Sequence, residues 1–68
     1  MKRGQFITRL RSHARRHNLL IEVDKRRGKG SHITVIVAGR ETIVKSGELK
    51  PGYVQLLLKQ LGLPRGAV

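Results

Sequence analysis

The chain has 68 residues, no cysteine, and 15 Lys and Arg against four Asp and Glu, a formal net charge of +11. Its length sets one domain with a small core, since a chain of this size buries only roughly 60% of its unfolded surface, and without cysteine neither a disulfide nor a thiolate metal site braces it. The charge calls for a polyanionic partner, whether RNA, DNA, an acidic protein or an anionic membrane surface.

No apolar run is long enough for a transmembrane helix or a signal segment. The basic start, Met1-Lys2-Arg3, leads into more arginine, so a cytoplasmic protein is expected rather than a secreted one. Gln5 to His17 reads as a helix: Phe6, Leu10, His13 and His17 recur at spacings of four, three and four, and Ile7 and Ala14 widen the stripe. Arg9, Arg11, Arg15 and Arg16 lie mostly off it. Gly4 is a weak N-cap, and Asn18 suits a left-handed helix end.

Leu19 to Asp24 reads as a first strand. Leu19, Ile21 and Val23 share one face, and Leu20, Glu22 and Asp24 share the other. Lys25 to Gly30 is rich in charge and glycine and reads as a mobile hairpin connection. Ser31 to Ala38 is a second strand, with Ile33, Val35 and Val37 toward the helices and His32, Thr34 and Ile36 on the open face. Gly39-Arg40 is expected to turn the chain into a third strand, Glu41 to Lys45, with Ile43 inward. Short links imply an antiparallel meander.

Ser46-Gly47 breaks the sheet, and Pro51 suits the first position of a second helix, with Glu48 just upstream, where negative charge is favourable. Val54, Leu57, Leu58 and Leu61 follow helical spacing, flanked by Tyr53 and Leu56. Gly62-Leu63-Pro64 stops the helix. The core is expected over 5–63, with 64–68 a frayed tail. The expected fold is therefore α+β: one domain over residues 1–68, built helix, three antiparallel strands, helix, with both helices on one face of the sheet. That is the architecture of the double-stranded RNA-binding domain, and fold alone does not give function.

Three stretches carry a more specific likeness: Gly30-Ser31-His32 opening the second strand, Glu48-Leu49-Lys50-Pro51-Gly52 opening the last helix, and Leu57-Leu58-Lys59-Gln60-Leu61-Gly62 closing it. In this order and spacing the chain resembles the HicA toxins of bacterial HicAB toxin–antitoxin modules, from about Thr8 to Leu63. It departs from the common pattern in a longer, more basic link before Gly-Ser-His. It also lacks the usual histidine-containing segment at Val44-Lys45-Ser46-Gly47. The resemblance implies a small endoribonuclease that cleaves mRNA without a metal or other cofactor. It implies His32 as the catalytic residue and a HicB-type antitoxin as the neutralising partner.

The chemistry is compatible with that expectation. RNA carries its own nucleophile, the 2′-OH, so a protein need supply only a base, a charge clamp and in-line geometry. Histidine is the side chain suited to moving a proton near neutral pH. Lys25, Arg26, Arg27 and Lys29, with Gly30, Ser31, Lys45 and Lys50, are the candidate RNA-binding residues. His13 and His17 sit on the helix stripe and read as edge-of-core or helix-end residues. Tyr53 fits packing as well as base stacking. With only Phe6 and Tyr53 as aromatics, a base-stacking platform is not expected, and the three histidines form no recognisable metal-ligand set. Two other functions fit the composition: a non-enzymatic double-stranded-RNA-binding module, which would not need His32, and a basic ribosome-associated protein.

Overall fold

The computed structural model describes residues 1–26 and 31–68. The first helix, α1 (Arg3–Arg16), buries Phe6, Leu10, His13 and Ala14 along one stripe. It starts two residues before the expected Gln5, so Gly4 lies inside the first turn and Lys2 takes the N-cap position. No local signal explains this. Lys2 makes no side-chain cap, and the first turn contains no acid. The start is instead set from a distance: Lys2 pairs with Glu48 in an isolated antiparallel bridge. Arg3 N–H donates to the Gly47 carbonyl (3.2 Å), and Leu49 N–H to the Met1 carbonyl (2.7 Å).

The helix ends one residue before the expected His17, and for a local reason. Asn18 adopts φ 55°. Leu19 N–H then reaches the Ala14 carbonyl (2.8 Å), and Asn18 N–H the Arg15 carbonyl (3.4 Å), which is the paired bonding of a Schellman stop. Leu19, expected in the first strand, is spent on this stop, and Leu20 is 84% exposed.

Strands β1 (Ile21–Asp24), β2 (Ile33–Val37) and β3 (Arg40–Val44) form an antiparallel sheet in the order β1-β2-β3. Val23 pairs with Val35 and Ile21 with Val37, so the apolar alternation of β1 and β2 faces the helices as expected. The expected connection of Lys25 to Gly30 falls largely outside the described residues, which exclude 27–30.

The third strand departs from expectation. The chain reverses at Ala38-Gly39, with φ 51° and 84°, so Val37 pairs with Arg40 and Val35 with Thr42. Two positive φ angles make the left-handed two-residue turn that matches strand twist, and it lies one residue earlier than Gly39-Arg40. Thr42 and Val44 therefore face inward, and Ile43 faces outward, 55% exposed. This reverses the expected inward place of Ile43, because the pairing of Val35 with Thr42 puts Thr42 on the helix side. Thr42 is tolerated in the interior because its hydroxyl donates to Gln60 Oε1.

The second helix, α2 (Pro51–Gln60), begins on Pro51 as expected and buries Val54, Leu57 and Leu58. Gly62, at φ 71°, supplies the second Schellman stop: Leu63 N–H bonds the Leu58 carbonyl (2.9 Å) and Gly62 N–H the Lys59 carbonyl (3.1 Å). Arg40 lies against Gly62 and donates from Nε to the Gln60 carbonyl (3.2 Å), a cation placed on the negative end of the helix. The tail is not frayed. Residues Arg65–Ala67 form a 3₁₀ turn that touches both helices, and Ala67 is buried in the core. Phe6 and Leu10 of α1, Leu57 and Leu58 of α2, and Val35, Val37 and Val44 of the sheet form one cluster. The fold is α+β, with both helices packed against the same sheet face. Among the described residues no helix is long and apolar enough to cross a membrane.

The register predicts opposite outcomes at neighbouring positions. Val44→Lys puts a charge into the core and is expected to abolish cooperative thermal unfolding. Ile43→Lys is expected to shift stability by no more than about 0.5 kcal/mol, as exposed substitutions do. Equal damage from both would refute this register. Ala38→Asn is expected to raise stability by about 0.5–1 kcal/mol, because asparagine tolerates the left-handed region better than alanine; a lower chemical-denaturation midpoint would count against the turn described.

Candidate functional site

The ends of several elements meet where β2 begins. His32 is exposed and immediately precedes β2. Strand alternation puts it on the outer side of the sheet with Thr34 and Ile36. The ladder of β2 with β3 ends at the Ile33–Val44 pair; His32 directly precedes it on one strand and Lys45 directly follows it on the other. The exposed Lys25 and Arg26 follow β1 on the other flank. There Asp24 Oδ1 accepts the Arg26 N–H (2.9 Å), which turns the chain off the strand. Arg27, Lys29 and Gly30 lie outside the described residues.

Both helices start at this end. Arg3, the first residue of α1, donates from Nη1 to the Ser31 carbonyl, one residue before His32. At the start of α2, Lys50 is the exposed N-cap, and Tyr53 is locked onto β3: its hydroxyl accepts the Lys45 N–H and donates to the Ile43 carbonyl, each at 3.3 Å. Lys45 Nζ lies 5.1 Å from the Tyr53 ring centroid, within cation–π range. Tyr53 is thus a structural clamp on the edge strand and the resting place of a candidate lysine.

The electrostatics of this end are one-sided. Neither helix has an acid in its first turn, so both positive helix ends stand without an acidic partner there. The nearby acid, Glu48, is engaged by the Met1 ammonium at 2.7 Å, and that contact holds its carboxyl below the usual carboxylate range. The other three acids lie on the sheet. Glu22 and Glu41 both pair in register with Ile36, and Asp24 with Thr34. At this end the described cations Lys25, Arg26, Lys45 and Lys50 outnumber the acids Asp24 and Glu48, so the end attracts a polyanion.

Of the candidates named from sequence, the described His32, Ser31, Lys45, Lys50, Lys25 and Arg26 all lie toward this end. His13 and His17 do not: they stack on each other, with ring centroids 4.3 Å apart, in the last turns of α1. His13 is ten residues, about 15 Å of helix rise, from Arg3. His13 is buried, deeper than the edge-of-core reading placed it. Arg3 was not singled out by sequence, since nothing in its neighbours points 28 residues along the chain. A groove runs between β3 and α2, past Ile43, Tyr53, Leu56 and Gln60, and His32 is not among its walls. Among the described residues no three His, Asp or Glu side chains gather as a metal-ligand cluster. Comparison with family models, with curated proteins and with solved structures finds no match.

His13 makes a separate prediction. Burial, then the neighbouring His17 and Arg16, lower its pKa from the ordinary 6.5. The unfolded chain therefore takes up a proton that the folded chain resists, and stability must fall as pH drops below about 6.5. Melting temperature followed from pH 8 to 5 is expected to decline over that range, and His13→Leu is expected to flatten the decline. An identical profile in the variant would remove His13 as its source.

Proposed function

We propose that this protein is a metal-independent endoribonuclease of the HicA toxin kind, acting on mRNA in the cytoplasm and held inactive by a HicB-type antitoxin. The observation that carries the reading is an exposed histidine, His32, immediately before β2 at the cationic end where both helices begin. The ordered Gly-Ser-His, Glu-Leu-Lys-Pro-Gly and Leu-Leu-Lys-Gln-Leu-Gly stretches support it.

In this reading Lys25, Arg26, Lys45 and Lys50 hold the phosphates flanking the scissile one. A ring nitrogen of neutral His32 takes the proton of the 2′-OH, the 2′-oxygen attacks the adjacent phosphorus, and the bond to the 5′-oxygen breaks. The leaving oxygen acquires a proton from solvent. The products are a 2′,3′-cyclic phosphate and a 5′-hydroxyl. DNA, lacking the 2′-OH, binds but is not cut. A surface site suits a polymer substrate, because charge and backbone contacts position it without an enclosed pocket.

The test is cleavage of single-stranded RNA in EDTA by the wild type and by His32→Ala. Cleavage by the wild type, with cyclic-phosphate ends, and a loss of at least about 100-fold in the variant at retained affinity is expected. Equal background in both, with RNA still bound, would replace this reading with that of a non-enzymatic RNA-binding module. Replacing Lys25, Arg26 and Arg27 together by alanine is expected to flatten the log–log salt dependence of binding to single strands by about 2; an unchanged slope would clear that segment of phosphate contact.

A further inference from the structure

The position of His32 depends on what fixes the chain just before β2. Ser31 is exposed and outside the ladder, so strand pairing does not hold its carbonyl. That carbonyl is held by Arg3 Nη1. The backbone N–H of the same arginine is bonded to the Gly47 carbonyl at 3.2 Å. Arg3 thereby joins three segments remote in sequence: the start of α1, the approach to α2 and the turn that presents His32.

Its placement is costly for the helix. A cation in the first helical turn opposes the helix dipole, and no acid in that turn offsets it. Helix formation therefore gives no reason for arginine at this position. A planar guanidinium that reaches across to a main-chain oxygen does. Arg3 is also half-buried, whereas Lys2 and Lys50 are exposed, so it is less open to a passing phosphate than they are.

We propose that Arg3 is a positioning residue for His32, acting through the Ser31 carbonyl rather than on RNA directly. The proposal rests on His32 being the base of the reaction proposed above. Small misplacements of a base cost rate far more than they cost binding, because the transition state demands in-line geometry while phosphate contacts tolerate looseness. Lysine at this position keeps the charge and one donor but not the planar fork, so it should restore part of the effect.

The experiment has two arms. In the first, ¹H–¹⁵N and ¹H–¹³C spectra of the intact chain compare Arg3→Gln and Arg3→Lys with the wild type. Arg3→Gln is expected to shift the Ser31, His32 and Ile33 resonances and to speed amide exchange there by about tenfold or more, while Val35 and Leu57 stay unchanged; Arg3→Lys should lie between. In the second, RNA cleavage in EDTA is set beside affinity for a 2′-O-methyl RNA that cannot react. Arg3→Gln is expected to lower kcat by about tenfold or more with affinity changed less than about threefold. Unmoved Ser31 and His32 resonances would overturn the proposal whether or not the wild type cleaves RNA. A loss of affinity matching the loss of kcat/KM would overturn it too, by making Arg3 a phosphate ligand. A wild type that does not cleave, with Ser31 and His32 displaced in the variant, would leave Arg3 as the anchor of that segment and refute the nuclease reading alone.

Discussion

The contact between residues 1–3 and residues 47–49 is the constraint on which the His32 end of this molecule depends. It consists of one isolated bridge, Lys2 with Glu48, two flanking backbone hydrogen bonds and the Met1–Glu48 ion pair. None of these is strong alone. The ion pair is exposed, and solvent screening leaves such pairs weak. Together they fix the start of α1 against the approach to α2, and Phe6, fully buried four residues later, seals the contact from the core side. The sheet adds the third member, because Arg3 reaches Ser31 and Tyr53 reaches β3. The end of the domain is thus a junction of three chain segments, and His32 stands on its rim.

Charge is distributed to suit this junction. A net charge of +11 on 68 residues disfavours compactness through self-repulsion, and a core of this size leaves little margin. The chain answers by spending its cations where helix geometry or a ring accepts them: Arg40 on the terminal carbonyl of α2, Lys45 over Tyr53, and the arginines of α1 on its exposed side. Three of the four acids go to the open sheet face. Two of them, Glu22 and Glu41, stand beside Ile36, away from the end where Lys25, Arg26, Lys45 and Lys50 gather. A bound polyanion would relieve the remaining repulsion, so binding and folding stability are coupled in sign.

The two helices and their stops were legible in sequence because their signals are local. Asn18 and Gly62 both adopt the left-handed conformation expected of them, and Pro51 opens α2. The pairing of β2 with β1 followed from alternation. What failed was what local chemistry does not encode. Ala38 is not a residue that announces a left-handed turn, so the reversal was placed one residue late. Ile43 was assigned inward on hydrophobicity, although Thr42 takes that place with Gln60 as its partner. The C-terminal 3₁₀ turn was missed because Arg65-Gly66-Ala67 has no periodicity, and only Ala67 is buried. The candidate site divides the same way. His32 and its lysines were named from motif and charge, whereas Arg3 became visible only once the fold had joined α1 to the segment before β2.

This division has a physical cause that bears on the site. A proton-transfer group must be of one chemical type, so composition and spacing can reveal it. Anything that can reach and donate can hold such a group in place, and reach is a property of the fold. In a larger protein such holding is shared among many packed side chains. Here the 68-residue chain has spent its apolar residues on one core between helices and sheet, and Ser31 and His32 are exposed. A domain this small must therefore fix an exposed site with long polar side chains thrown across from adjoining elements. Arg3 on Ser31 and Tyr53 on β3 are two such contacts among the described residues. Both act on main-chain atoms, so they bear on the course of the backbone whatever side chains it carries there.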